Sequence, residues 1–176
     1  MTDVLGYRGA NVVITGAASG MGQAAAQLLV DLGAQVYALD IAEISVPVAK
    51  AVTVDMKDGA SIDAAVAELP QDIYALFNCA GVPAPPFAAA DCVLINFVGL
   101  RYLTELLLPR MTDGGAIVSI ASTAGMGWKP NLARVQEFLS LDNSYATARQ
   151  WLKANAEAVP DGYGFSKQCI IVYTIS

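Results

Sequence analysis

A phenol and an ammonium stand four residues apart in Tyr163-Gly164-Phe165-Ser166-Lys167, a spacing that puts both on one face of a helix. A free phenol, with a pKa near 10, is a poor base at neutral pH. A neighbouring cation favours its ionised form and makes proton transfer accessible. The chain contains no histidine, so tyrosine is the best available acid–base group for carbonyl chemistry. Seven Tyr and five Lys produce such a spacing by chance about 0.2 times, and an ordinary exposed pair reads the same way. The pair therefore gains meaning only from its companions.

The first companion is Thr15-Gly16-Ala17-Ala18-Ser19-Gly20-Met21-Gly22. Its spacing, G-x-x-x-G-x-G, sits between an apolar strand and a helix, where backbone N–H groups and the helix dipole can hold a pyrophosphate. Gly16 allows a tight turn, Gly20 lets a phosphate approach and Gly22 lets helix and strand pack closely. A glycine-rich helix entry without a ligand is the alternative. Asp40 ends the next strand 18 residues after Gly22, close to the roughly 20 expected for an acid that hydrogen-bonds an adenosine ribose. A carboxylate there repels a 2′-phosphate, and no basic residue lies beside it, so NAD is expected over NADP. Asp55 with Met56 either reaches the adenine edge or caps a turn. Ser122, expected at the carboxyl edge of the sheet, can hydrogen-bond a substrate oxygen; Ser119 and Thr123 compete for that part.

These residues need strands and helices in alternation to bring them together. Strands are predicted at 10–15, 35–40, 51–54, 73–77 and 116–120, and helices at 20–32, 61–69 and within 88–111. Asp113-Gly114-Gly115 reads as the turn before the fifth strand. About ten residues between Asp40 and Ala51 leave no room for a crossover helix. The pattern is that of an α/β, Rossmann-like, doubly wound parallel sheet with helices on both faces. Residues 126–162 read as an inserted helical lobe, with helical segments at 132–141 and 145–158. The aromatic and methionine residues there (Met126, Trp128, Phe138, Trp151) form either a small core or a substrate wall. Residues 1–176 read as a single NAD-binding domain. After Lys167 no helix-stop signal appears, which predicts that the carboxyl-terminal part of that domain is lacking.

Composition narrows the function classes. The chain is 55% apolar and 15% charged, with net charge −6, which suits a two-sided buried sheet and argues against nucleic acid or an anionic membrane as partner. No signal peptide is apparent, and no apolar run is read as a membrane span, so a cytoplasmic protein is expected. Three irregularly spaced cysteines make neither a disulfide framework nor a metal site; they read as small buried residues. The expected ligands are a dinucleotide and a small apolar alcohol or ketone.

Taken in order, Thr15 to Gly22, Asp40, Asp55, Asn78-Cys79-Ala80-Gly81, Asn96, Ser122 and Tyr163 to Lys167 resemble the short-chain dehydrogenase/reductase family. The resemblance implies a catalytic tetrad: Tyr163 as acid/base, Ser122 orienting the substrate oxygen, Lys167 lowering the tyrosine pKa and holding the nicotinamide ribose, and Asn96 holding a relay water. It implies cofactor contacts at Gly16, Ser19, Gly20, Met21, Gly22, Asp40, Asp55, Met56, Asn78, Ala80 and Gly81, shared with Tyr163 and Lys167, and no metal. Two departures stand out. The strands and substrate loop that follow the Tyr/Lys helix in the family are missing, and Tyr163 comes 41 positions after Ser122, a longer gap than the family usually has. The long gap is similar to the branch of bacterial 3α-hydroxysteroid dehydrogenase/carbonyl reductase. It implies a homo-oligomer, a dimer or a tetramer, and a hydroxysteroid or a similar apolar secondary alcohol as substrate. A nucleotide-binding relative without catalysis is the competing reading.

Overall fold

The computed structural model describes residues 4–176. Five strands form one sheet: β1 (Asn11–Thr15), β2 (Gln35–Asp40), β3 (Lys50–Thr53), β4 (Ile73–Asn78) and β5 (Met111–Ser119), in the order β3-β2-β1-β4-β5. Pairing is parallel between β1 and β2, β1 and β4, and β2 and β3. β-Branched side chains favour the pleated surface; Val12, Val13 and Ile14 at the centre of β1 are fully buried. Helix α1 (Gly20–Asp31) follows β1 and α2 (Gly59–Ala67) follows β3. The Ala/Gln/Leu-rich α1 ends in a Schellman motif: Gly33, at φ +88°, donates to the Val30 carbonyl, and Ala34 to that of Leu29. As expected, β2 and β3 are joined by a loop without a helix.

The described residues fall into two compact units. The first comprises the chain through Asp55, Ala60–Ala80 and Leu103–Val118, and the second comprises Met56–Gly59, Gly81–Tyr102 and Ser119–Ser176. Within the first, Val12, Ile14, Ala26, Leu29, Val36 and Ala75 make an apolar core. Within the second, Phe97, Val135, Phe138, Trp151, Phe165 and Ile170 make another. That core resolves the alternative left open for Phe138 and Trp151: both are interior. Met126, by contrast, is 72% exposed.

The long helical run is not uniform. It consists of α3 (Ala89–Val93), a π-helical turn at Leu94–Val98, α4 (Gly99–Leu107) and a 3-10 turn at Leu108–Arg110. The expectation that no apolar run matches a membrane span needs correction. Ala89–Arg110 has the length and mean hydropathy, 1.4, to pass that test, although 61% of the relevant window is buried inside the protein. Residues 126–162, expected from the sequence to be an inserted lobe, contain α5 (Leu132–Leu139) and α6 (Tyr145–Ala154), and α7 (Gly162–Ile175) follows.

A second correction concerns β5. The predicted turn at residues 113–115 lies inside the strand. Gly115 makes this possible, because a Cβ there would come within 2.9 Å of the Tyr74 carbonyl of β4. On the same strand Ile117 and Val118 are about 40% exposed.

Candidate active site

In the first unit the glycine turn is built by contacts that exclude side chains. Gly16 has φ +71°, and a Cβ on it would lie 2.7 Å from the backbone of Ala80. A Cβ on Gly22 would overlap the Gly16 carbonyl and come within 3.3 Å of the Cys79 side chain, so the missing side chain lets α1 close on the residues that directly follow β1 and β4. Gly20 differs. Its φ is +56°, yet a Cβ there would meet nothing within 4 Å, leaving open space at the start of α1. Ser19 stands at the N-cap without a side-chain capping bond, and Met21 is 66% exposed beside it.

Asp40 is tied into the same turn. One carboxylate oxygen accepts from the Ala18 N–H at 2.9 Å and the other from Ala42 N–H at 3.0 Å. Thr15, read in the sequence only as part of the motif, fastens β1 to the end of β4: its buried hydroxyl accepts from the N–H groups of Cys79 and Ala80, each at 3.1 Å. Asn78 donates to the Thr104 hydroxyl at 3.0 Å. Asp55 lies two residues past β3, and its N–H donates to Ser61 Oγ at 2.9 Å. Open space at Gly20, at the N-terminal end of α1, with a half-buried carboxylate at the end of β2, fits a dinucleotide.

In the second unit α7 carries the Tyr/Lys pair. Asp161 caps it, accepting from Gly164 N–H at 2.9 Å, and Gly162 packs against the Ala89 carbonyl so closely that no Cβ fits. The cap was missed in the sequence although Asp is a preferred N-cap residue. Lys167 is buried; its Nζ donates to the Ile120 carbonyl at 2.6 Å and lies 5.7 Å from the centroid of the Tyr163 ring. The observed pair is thus not an exposed surface contact.

Asn96 sits within the π-helical turn, fully buried. Its Oδ1 accepts from Val82 N–H at 2.7 Å, while its Nδ2 donates to the Val82 carbonyl at 3.0 Å and to Ser166 Oγ at 3.3 Å. Ser166 in turn donates to the Tyr163 carbonyl at 2.7 Å. Gly81 borders this group, where a Cβ would stand 3.4 Å from Asn96 Oδ1 and 3.9 Å from Lys167 Nζ. Ser122 lies past the end of β5 as N-cap of a 3-10 turn at Thr123–Trp128, accepting from Ala124 N–H at 3.2 Å. Gly125 in that turn rests on the Lys167 backbone, with room for no Cβ beyond 2.8 Å. Asn96, Tyr163 and Lys167 are therefore joined by a chain of contacts, and the segment carrying Ser122 packs on the same helix.

A parallel sheet whose order reverses at β1, with a glycine turn at that reversal, defines a Rossmann-like α/β protein. The family profile described as short chain dehydrogenase matches residues 10–133, and the chain belongs to that family. It is 35% identical over 165 residues to a coniferyl-alcohol dehydrogenase of Pseudomonas sp., covering 93% of this chain and 63% of that protein. It is 35% identical over 139 residues to a sorbitol dehydrogenase of Cereibacter sphaeroides, covering 66% and 54%. Among solved structures, the 3-alpha-hydroxysteroid dehydrogenase of Pseudomonas sp. B-0831 complexed with NADH superposes with a TM-score of 0.72 at 25% identity, over 92% of this chain and 63% of that one. The chain thus spans less than two thirds of the length of these relatives.

Proposed function

We propose that the protein is an NAD-dependent oxidoreductase that interconverts a secondary alcohol and a ketone, with Tyr163 as the acid/base. The observation that carries this reading is the buried Lys167 ammonium, anchored on the Ile120 carbonyl and held 5.7 Å from the Tyr163 ring. A cation fixed beside a tyrosine ring is an arrangement suited to exchanging a proton between the hydroxyl and an alcohol oxygen. When bound, the nicotinamide accepts or supplies the hydride.

In this proposal, Gly16, Ser19, Gly20, Met21 and Gly22 receive the pyrophosphate, Asp40 the adenosine ribose and Asp55 with Met56 the adenine edge. Asn78, Ala80 and Gly81 border the ribose side. Because Ala124 N–H uses a lone pair of Ser122, the Ser122 hydroxyl proton remains to donate to the substrate oxygen. Asn96 has its side chain committed to Val82 and Ser166, so contact with a relay water falls to its main chain. Hydroxysteroids are the first substrate class to test. The coniferyl-alcohol dehydrogenase relative makes coniferyl alcohol the second compound to test; it is a primary alcohol that would be oxidised to an aldehyde, so turnover of it would extend the reading beyond secondary alcohols. A homo-oligomer, dimer or tetramer, belongs to the same proposal.

The test follows the NADH absorbance band with each alcohol, for the protein and for Tyr163→Phe. Steady NADH formation that falls by a factor of about 100 or more in the variant, with NADH binding retained, is the expected result. NADH binding without turnover by the unaltered protein would instead support the non-catalytic relative.

A further inference from the structure

Helix α6 grips a segment that precedes it in the chain by almost ninety residues. The Tyr145 hydroxyl donates to the Met56 carbonyl at 2.7 Å, and four residues along the helix Arg149 Nη2 donates to the Lys57 carbonyl at 2.8 Å. Two consecutive carbonyls are therefore held from one helix face. The surroundings are shaped to the same contact. A Cβ on Gly99 would collide with the Met56 carbonyl and lie 3.1 Å from the Tyr145 hydroxyl, while a Cβ on Gly59 would lie 3.1 Å from the Tyr145 ring. Tyr102 meets Tyr145 edge-on, with centroids 5.6 Å apart. The Lys57 ammonium reaches Asp91 at 3.0 Å.

Both donors belong to the inserted lobe, whereas the segment they hold is delivered by β3. We propose that Tyr145 and Arg149 are positioning residues for the adenine end of the nucleotide, acting through the main chain of Met56 and Lys57. This rests on the assignment of Asp55 and Met56 to the adenine edge. A peptide plane whose carbonyl is fixed by a hydroxyl has lost its freedom to rotate. The groups at 55–56 are then presented in one orientation before the base arrives, which lowers the ordering cost of binding. The insertion thereby acquires a part in cofactor affinity, distinct from any part in substrate choice.

The test is calorimetric titration of the purified protein with AMP, NMN and NADH, for Tyr145→Phe, Arg149→Ala, Arg149→Lys and Asp55→Ala. Loss of one neutral hydrogen bond should raise the Kd for AMP and NADH about five- to tenfold in Tyr145→Phe. Arg149→Ala should act in the same direction and Arg149→Lys should recover part of the loss. NMN affinity should stay within twofold in all three. Unchanged AMP and NADH affinities in both Tyr145→Phe and Arg149→Ala, with Asp55→Ala weakening AMP, overturn the positioning role alone. An Asp55→Ala variant that binds AMP normally overturns the adenine assignment and the inference with it. Equal weakening of AMP and NMN would mean general loosening and would also overturn it. Should Tyr145→Phe fail to fold, the exposed Arg149 pair of variants decides.

Discussion

The indole of Trp151 lies parallel to the ring of Phe165, with 5.8 Å between centroids and 10° between planes. Phe138 packs on both, at 4.8 and 5.5 Å, and Trp151 Nε1 donates to Glu137 at 2.8 Å. Phe165 stands between Tyr163 and Lys167 on α7, so α5 and α6 buttress the helix that carries the proposed acid–base pair. Removing the indole from this buried cluster should cost about 3–5 kcal/mol. Urea unfolding of Trp151→Ala measures it, and a loss below about 1 kcal/mol would leave the buttress without energetic weight.

The two carboxylate oxygens of Asp40 separate a charge effect from a shape effect. Asp40→Asn keeps an acceptor for one of the Ala18 and Ala42 N–H groups but removes the charge. The proposed preference for NADH over NADPH should narrow by about tenfold, the change expected if loss of the like charge relieves about 1.4 kcal/mol of repulsion at this half-exposed position. Competitive binding of the two dinucleotides reports it. Unchanged discrimination would remove Asp40 from the ribose site.

Gly16 and Gly20 should respond differently to alanine. At Gly16 the added Cβ meets the Ala80 backbone and the positive φ is strained as well, so Gly16→Ala should lose about 2–5 kcal/mol of stability. At Gly20 only the φ is strained, for about 1–2 kcal/mol, while the methyl fills space proposed for phosphate. Gly20→Ala should therefore stay folded and lose NADH affinity. Thermal unfolding and calorimetry on both variants separate the two cases, and normal NADH affinity in Gly20→Ala would remove Gly20 from the phosphate site.

Burial raises the thiol pKa of Cys169 well above its usual range, and burial followed by the charges of Asp91 and Asp161 raises that of Cys92. In the folded protein both thiols stay protonated where unfolded cysteines, near 8.5, ionise. The unfolded state then holds fewer protons, so these groups contribute full stability below about pH 8.5. That contribution is lost as pH rises through the raised folded values. Iodoacetamide at mildly alkaline pH should modify neither residue until the protein unfolds, as mass spectrometry of labelled peptides would record. Rapid native labelling of Cys169 would contradict its burial.

Where chemistry and local pattern coincide, the fold could be read from sequence. The β-branched run of β1, the apolar and aromatic run of β4, the Ala/Gln/Leu content of α1 and the glycines of the first turn each impose their own local conformation, and the parallel order follows from alternating strands and helices. Helices were expected at 132–141 and 145–158 and lie at Leu132–Leu139 and Tyr145–Ala154. What escaped depends on contacts distant in sequence. Gly114 and Gly115 resemble a turn until β4 is beside them. The π-helical turn at Asn96 has the same apolar periodicity as the helix around it. Thr15 could not be matched to Cys79 and Ala80, nor Tyr145 to Met56, because no local preference records either partner.

The division into two units also sets an order of synthesis. Every residue of the first unit has been made by Val118, and all five strands are complete one residue later. The second unit has by then only its residues at 56–59 and 81–102, and waits for Val135, Phe138, Trp151 and Phe165 to supply its interior. Domains tend to fold as they leave the ribosome, so the sheet with its glycine turn can form while Phe97 and its neighbours still lack their packing partners. During that interval the residues of the helical run at 89–102 have been made without the apolar side chains that bury them in the finished second unit, and transiently exposed apolar surface of that kind is prone to aggregation.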